Sequence, residues 1–200
     1  MTEIILVRYK MKEMENECIR SVLDNTTNYN LTVYDNEEHN YNLGKLWNSL
    51  ISASSAEIIC LLNTDTAVEP FWLERLEYVL TWDKVGAVGL VTDGAKNSQK
   101  QGRGSGVFEL PKEEMLSGFC LLFYKRVWEE VGGFPEDFGF YGQETAMMKK
   151  VQSKGYRQMV NREVFVHHEG SATAKSTGLD LEQEREKGRN LYQLFKNKFK

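Results

Sequence analysis

The sequence predicts a single α/β domain built on a central, mostly parallel sheet flanked by helices. Three observations carry that expectation. Short apolar runs alternate with stretches of helical periodicity through the first 91 residues, the pattern of strands joined by crossover helices. Three of the apolar runs stop abruptly at polar residues, reaching Tyr9, Asp35 and Asp65 at the carboxyl ends of successive strands. Finally, 200 residues with 41% hydrophobic content supply one sizeable core and leave little room for a second.

Ile4 to Val7 reads as the first buried strand, with Arg8, Tyr9 and Lys10 at its tip. Met14, Cys18, Ile19 and Val22 recur at helical spacing and predict a helix near 12–24. Leu31 to Tyr34 is a second strand ending in Asp35, and Leu43, Leu46, Trp47, Leu50 and Ile51 mark a second helix. Glu57 to Leu62 is the central strand, ending in Asn63, Thr64, Asp65 and Thr66. Pro70 fits a first helical position, ahead of Trp72, Leu73, Leu76, Val79 and Leu80, and Val85 to Val91 is a further strand. In such sheets ligands bind beyond the carboxyl ends of the strands, so one site can gather Tyr9, Asp35 and Asp65.

From Thr92 to Glu114 no periodicity is visible, and the segment reads as a flexible loop. Its Gly102-Arg103-Gly104-Ser105-Gly106 lacks the flanking strand and helix of a dinucleotide fingerprint. Ser117 to Tyr124 reads as a strand and Val127, Trp128 and Val131 as a short helix stopped by Gly132-Gly133. A helix with Met147, Met148 and Val151 follows Gln143-Glu144, and Tyr156 to Val160 and Val164 to Val166 read as two short strands. Leu191, Leu194, Phe195 and Phe199 put an apolar stripe on a basic C-terminal helix, which packs on its own domain or makes a peripheral membrane contact.

Composition excludes several functions. A net charge of −4 and a pI near 5.5 give no electrostatic footprint for nucleic acid. No apolar run approaches the roughly 18 residues that span a bilayer, and Met1 to Val7 lacks the pattern of a signal peptide, so a cytoplasmic protein is expected. Cys18, Cys60 and Cys120 are widely spaced, which argues for core thiols over disulfides or zinc.

Asp65 has two readings: it bonds its own turn backbone, or it holds a divalent cation through hard oxygen with Asn63 beside it. Glu144 either complements the dipole of the helix it opens or serves as a general base. His167 and His168 end a strand and point to opposite faces, as a surface turn or with one of them on a metal or diphosphate.

The order of these segments from Ile4 to about Ser171 resembles the family 2 nucleotide-sugar glycosyltransferases of GT-A type. Leu31-Thr32-Val33-Tyr34-Asp35-Asn36 resembles the strand whose terminal Asp binds the donor nucleotide. Leu62-Asn63-Thr64-Asp65-Thr66 is similar to the DXD region in its rhamnosyltransferase-like form, with Asn63 replacing the first Asp. Ser117 to Leu122 and Glu130 to Phe134 are similar to the segment before the catalytic acidic pair. Phe140-Tyr141-Gly142-Gln143-Glu144 matches the pair itself, with Gln143 for the first acid. Val166 to Ser171 is similar to the late His motif, with His167 as the favoured match. At the first strand tip only Tyr9 matches the usual turn, and the Gln-x-x-Arg-Trp motif of processive synthases is absent from the sequence.

The resemblance implies a GT-A type, Rossmann-like domain with a nucleotide-binding half at 1–91, the loop at 92–114, an acceptor and catalytic half at 115–178, and the C-terminal helix at 179–200. It implies non-processive, inverting transfer of a hexose or deoxyhexose from a nucleoside diphosphate sugar to a glycan, lipid-linked or protein acceptor. Glu144 would be the base; Tyr9, Asp35, Asn63 and Asp65 would bind the donor; Asp65 and His167 would hold Mn2+ or Mg2+. An inactive nucleotide-sugar-binding or scaffold protein of the same fold is the alternative.

Overall fold

A computed structural model describes residues 1–37, 42–139, 141–168 and 180–197. Among them, eight strands form one sheet in the order β2-β1-β3-β7-β5-β8-β4, with β6 paired to β8. The strands are β1 (Thr2–Arg8), β2 (Tyr29–Asp35), β3 (Ile58–Leu62), β4 (Thr66–Ala67), β5 (Val85–Thr92), β6 (Val107–Glu109), β7 (Cys120–Tyr124) and β8 (Arg157–His168). The helices are α1 (Lys12–Asn25), α2 (Leu43–Ala53), α3 (Trp72–Leu80), α4 (Lys125–Glu130), α5 (Gln143–Ser153) and α6 (Leu181–Lys196).

Strand alternation divides the core into two layers. Ile4, Leu6, Cys60 and Leu62 face a cluster with Cys18 and Val22 of α1 and Trp72, Leu76 and Val79 of α3. Ile5, Ile59 and Leu61 face the opposite cluster, with Trp47 and Ile51 of α2, Val127 of α4 and Met147, Met148 and Val151 of α5. Both faces of the sheet are therefore covered, which is why its central strands read as unbroken apolar runs.

Strands β1, β2, β3, β5 and β8 share one direction, while β7 runs antiparallel between β3 and β5. Leu62, at the end of β3, pairs with Cys120, at the start of β7. The reversal matters for function: β7 delivers the residues before it, Ser117 to Phe119, to the edge where the parallel strands end.

Three expectations change. The segment 92–114 contains β6, and Gln99, fully buried, donates to Leu90 O at 2.9 Å and accepts from Ser117 N at 2.8 Å, so this stretch is tied to the sheet. The two strands expected at 156–166 are one, β8, whose pairing with β5 shifts register between Asn161 and Phe165, around the polar Arg162-Glu163. Helix α3 starts at Trp72, after Phe71 with a left-handed φ of 65°, two residues beyond Pro70.

The C-terminal helix is capped by Asp180, whose carboxylate accepts from Glu182 N and Gln183 N. Its packing is internal: Phe195 meets Phe138 edge-on at 6.0 Å, while Leu194 stays exposed. Phe199 and the end of the expected stripe lie outside the described residues. No helix among the described residues is long and apolar enough to cross a membrane.

Candidate active site

The ends of β1, β2, β3, β5 and β8 and the start of β7 border a cavity of about 720 Å3. Asp65 stands in the turn between β3 and β4. That turn is fixed from within, because Thr66 Oγ1 donates to Asn63 O at 2.7 Å and Asn63 N donates to Phe119 O at 2.8 Å. Cys18 Sγ, from α1, adds a weak donation to Asn63 O at 3.5 Å; burial pushes this thiol up to about 12, so it stays neutral and can serve as a donor.

His168 Nε2 lies 3.2 Å from Asp65 Oδ1. Its ring stacks on Phe119, with centroids 5.0 Å apart. Asp65 Oδ1 and both imidazole nitrogens of His168 are buried and lack a hydrogen bond among the described groups. Buried polar atoms without hydrogen bonds are costly, so the two groups can accept a ligand from the cavity.

Of the two adjacent histidines, the structure turns His168 towards Asp65, and the expected His167 elsewhere. The side chain of His167 is 82% exposed, against 11% for His168. His167 Nδ1 pairs with Asp93 Oδ2 at 2.9 Å, and Asp93 Oδ1 accepts from His168 N at 3.1 Å. The contact with His167 holds the Asp93 carboxyl below its ordinary range. The alternation of side chains along β8 separates the two rings, and the pairing of Thr66 with His168 sets which one faces the site. Asp65 also borders a second cavity of about 720 Å3, shared with Lys10, Lys12 and His167.

Glu144 sits in the first turn of α5, on the wall of the first cavity. Protein surrounds it on its other sides, and this burial raises its carboxyl above the ordinary range despite the opposing pull of the backbone N–H groups of Gly142 and Glu144. Gly118 makes the placement possible: a Cβ there would lie 2.8 Å from Glu144 Cγ. Gln143, buried beside it, has an Oε1 without a hydrogen-bond partner among the described groups.

Tyr9 and Asn63 line the same cavity. The Tyr9 backbone is held by Glu15 of α1, whose Oε1 accepts from Tyr9 N at 2.5 Å. Asp35 is placed differently from the other candidates. It is exposed at the end of β2, its Oδ1 accepts from Glu37 N at 3.0 Å, and the next residue, Asn36, lines the cavity.

Sequence reading expected one of the two histidines at the site and favoured His167; it missed Asn36 and the whole contribution of α6, from which Arg185, Gly188, Arg189 and Tyr192 reach the cavity. Their spacing on one helical stripe was a usable signal, but it was masked by the charge of the segment. Among the described residues no three His, Cys, Asp or Glu side chains converge as a metal cluster. The expected Glu169 to Ser171 part of the late His motif lies outside the described residues.

No family model matches the chain. The O-antigen biosynthesis protein RfbC of Myxococcus xanthus is 24% identical in an alignment of 163 positions that covers 68% of this chain and 13% of that protein. The structure of GalNAc-T7 with UDP, GalNAc and Mn2+ superposes with a TM-score of 0.69 at 10% identity, over 84% of this chain and 43% of the other. The mannosyltransferase PcManGT from Pyrobaculum calidifontis, in complex with GDP-Man and Mn2+, gives a TM-score of 0.66 at 16% identity, over 84% and 56%. The chain thus spans about half the length of these structures and a small part of the curated relative. Its fold is the GT-A glycosyltransferase fold expected from the sequence.

Proposed function

We propose that this protein transfers one sugar from a nucleoside diphosphate sugar to an acceptor hydroxyl, with inversion at the anomeric carbon. The observation that carries the proposal is the pairing of Asp65 Oδ1 with His168 Nε2 at 3.2 Å, both otherwise without hydrogen bonds, on the cavity that also holds Glu144. Glycosyltransferases of the same fold bound to UDP or GDP-Man together with Mn2+ support the reading.

The two orphaned groups fit a divalent cation that keeps several positions for water and substrate phosphate, as Mg2+ and Mn2+ do; the imidazole favours Mn2+. Asp65 and His168, in place of His167, are the proposed ligands. A cation held there supplies a Lewis acid for the diphosphate leaving group. Tyr9, Asn36 and Asn63 bind and orient the nucleotide, above an apolar wall that includes Leu43 and Trp47. Asp35, exposed at the end of β2 beside Asn36, is proposed to hydrogen-bond the same nucleotide.

Glu144 accepts the proton of the attacking hydroxyl. A carboxyl whose pKa is raised by burial is a better base than an ordinary one, because its proton affinity lies nearer the working pH. Hexose or deoxyhexose donors and glycan or lipid-linked acceptors belong to this proposal, in keeping with a relative named for O-antigen biosynthesis. So does the cytoplasm, since three buried, unpaired thiols suit a reducing compartment.

The test is release of nucleoside diphosphate from UDP-, GDP- and dTDP-sugars with Mn2+. Wild type should turn over one nucleotide class, and Glu144→Gln should lose about 100-fold or more in kcat while still binding donor. Undiminished turnover by Glu144→Gln, or none by wild type with any donor, would contradict the proposal.

A further inference from the structure

The transferase reading leaves Gln143 without a task. It opens α5 immediately before the base, and it borders the cavity while being only 2% exposed. Its Oε1 is buried and accepts no hydrogen bond. A carbonyl oxygen left in that state costs stability, whereas an apolar side chain of similar length would not. The fold thus carries an unfilled acceptor one residue from Glu144.

The start of α5 is held firmly, so the amide is positioned. Gly142 precedes it with a left-handed φ of 105°, and a Cβ there would lie 2.8 Å from Phe138 Cδ1. Asn42 Nδ2 donates to Phe138 O, which ties this segment to the start of α2. Ala146 N donates to Gly142 O at 2.9 Å and closes the first turn. Only the terminal torsion of Gln143 is soft. Such amide torsions have broad minima, so Oε1 turns towards the cavity without backbone movement.

What fills it follows from the chemistry of the substrates. The diphosphate of the donor offers acceptor oxygens and negative charge, neither of which pairs with a carbonyl oxygen. The sugars offer hydroxyls, which donate. The amide is also neutral, so it makes such a contact without setting a second carboxylate beside Glu144.

We propose that Gln143 Oε1 accepts a hydrogen bond from a sugar hydroxyl in the productive complex, and that this contact selects which sugar is used. The inference rests on the transferase reading and adds a specificity-determining residue to it. The hydroxyl can belong to the transferred sugar or to the acceptor, and the experiment separates the two.

Wild type is compared with Gln143→Met, which keeps the length of the side chain and removes its polar atoms, in the presence of Mn2+. Calorimetry with UDP, GDP and dTDP, and with UDP-glucose, GDP-mannose and dTDP-rhamnose, separates the nucleotide from the transferred sugar. Transfer to octyl glucoside, galactoside and mannoside reports the acceptor, and monodeoxy forms of donors and acceptors report single hydroxyls. Nucleoside diphosphate affinity should stay within about twofold of wild type. Either sugar-nucleotide affinity or acceptor KM should worsen about tenfold or more in Gln143→Met. The first result assigns the hydroxyl to the transferred sugar and the second to the acceptor. Wild type should reject the analogue lacking that hydroxyl by about tenfold or more, and Gln143→Met should lose most of this discrimination, because a site built to pair a hydroxyl rejects the analogue without it. The free variant should melt at or above the temperature of wild type, since the unpaired oxygen is gone.

Sugar-nucleotide affinity within twofold of wild type in Gln143→Met, with no acceptor whose KM changes by more than twofold, would overturn the inference and leave the amide to bound water. A tenfold loss of nucleoside diphosphate affinity would place the contact on the nucleotide and overturn it as well. Equal use of every monodeoxy form by wild type would overturn it whatever the variant does. Absence of both donor binding and donor hydrolysis in wild type would instead refute the transferase reading.

Discussion

Replacing Glu15 by Ala tests how the first strand tip is held. Glu15 is buried one turn into α1, where Oε2 accepts from Arg8 Nε at 3.0 Å and Oε1 accepts from Tyr9 N at 2.5 Å and Met11 N at 3.2 Å. The substitution leaves Arg8 Nε and two backbone N–H groups without their acceptor, while Arg8 Nη2 keeps Asn16 Oδ1 at 3.4 Å. Removing one partner of a buried ion pair costs about 3–5 kcal/mol. The Arg8 side chain keeps 24% exposure, so water recovers part of its solvation and the lower end, about 3 kcal/mol, is expected. For a domain of this size that lowers Tm by about 6–12 °C. Glu15→Gln, which retains an acceptor for Tyr9 N, should lose about half as much. Urea unfolding monitored by Trp fluorescence gives the free energy. A loss below about 1 kcal/mol in Glu15→Ala would refute the reasoning, because the loop would then hold itself without the carboxylate.

Four further substitutions probe the site. Gly118→Ala should push Glu144 aside, since the added carbon would lie 2.8 Å from Glu144 Cγ; kcat should fall about tenfold or more in a steady-state assay with donor affinity kept. Glu144→Gln should also change the pH dependence of stability. A carboxyl raised by folding favours the native state when protonated, so its contribution is present below the unfolded value near 4.5 and is lost as pH rises through the folded value. Wild type should thus lose stability relative to Glu144→Gln from about pH 4.5 upward, read by urea melts at pH 5 and pH 8; parallel curves would contradict this. His168→Ala should abolish Mn2+-dependent nucleotide binding, whereas His167→Ala should leave it within a few-fold, as calorimetry would report; the reverse order would contradict the placement of the two rings.

Most elements were legible in the sequence because each carries its own periodicity. The apolar runs at Ile4 to Val7 and Glu57 to Leu62 are strands because both their faces are covered, and Cys18 and Val22 mark the buried side of α1. What was not legible is non-local. The insertion of β7 between β3 and β5 depends on the pairing of Leu62 with Cys120, 58 residues apart by their numbers, and no local pattern records it. Strand β6 has three residues, too few for alternation to show, and β8 was split because Arg162 and Glu163 interrupt its apolar run at the register shift.

The candidate site divides the same way. Asp65, Glu144, Tyr9 and Asn63 could be chosen from their places at strand and helix ends, and the structure gathers them at one cavity. The orientation of His167 and His168 needed the register of β8 against Thr66, and the place of Asn36 on the cavity wall needed the turn that follows β2. The arginines of α6 needed the contact of Gly188 with Tyr141.

The central claim is a metal-dependent donor site at Asp65. Thermal stability is measured against UDP, GDP and dTDP sugars, with and without Mn2+, for wild type and Asp65→Ala. A donor present at one hundred times its dissociation constant stabilises by about 2.7 kcal/mol, a rise of about 5–11 °C for a domain of this size. That shift is expected for one nucleotide class with Mn2+ in wild type, and its loss is expected in Asp65→Ala. Equal shifts in both proteins, or no shift with any donor, would contradict it.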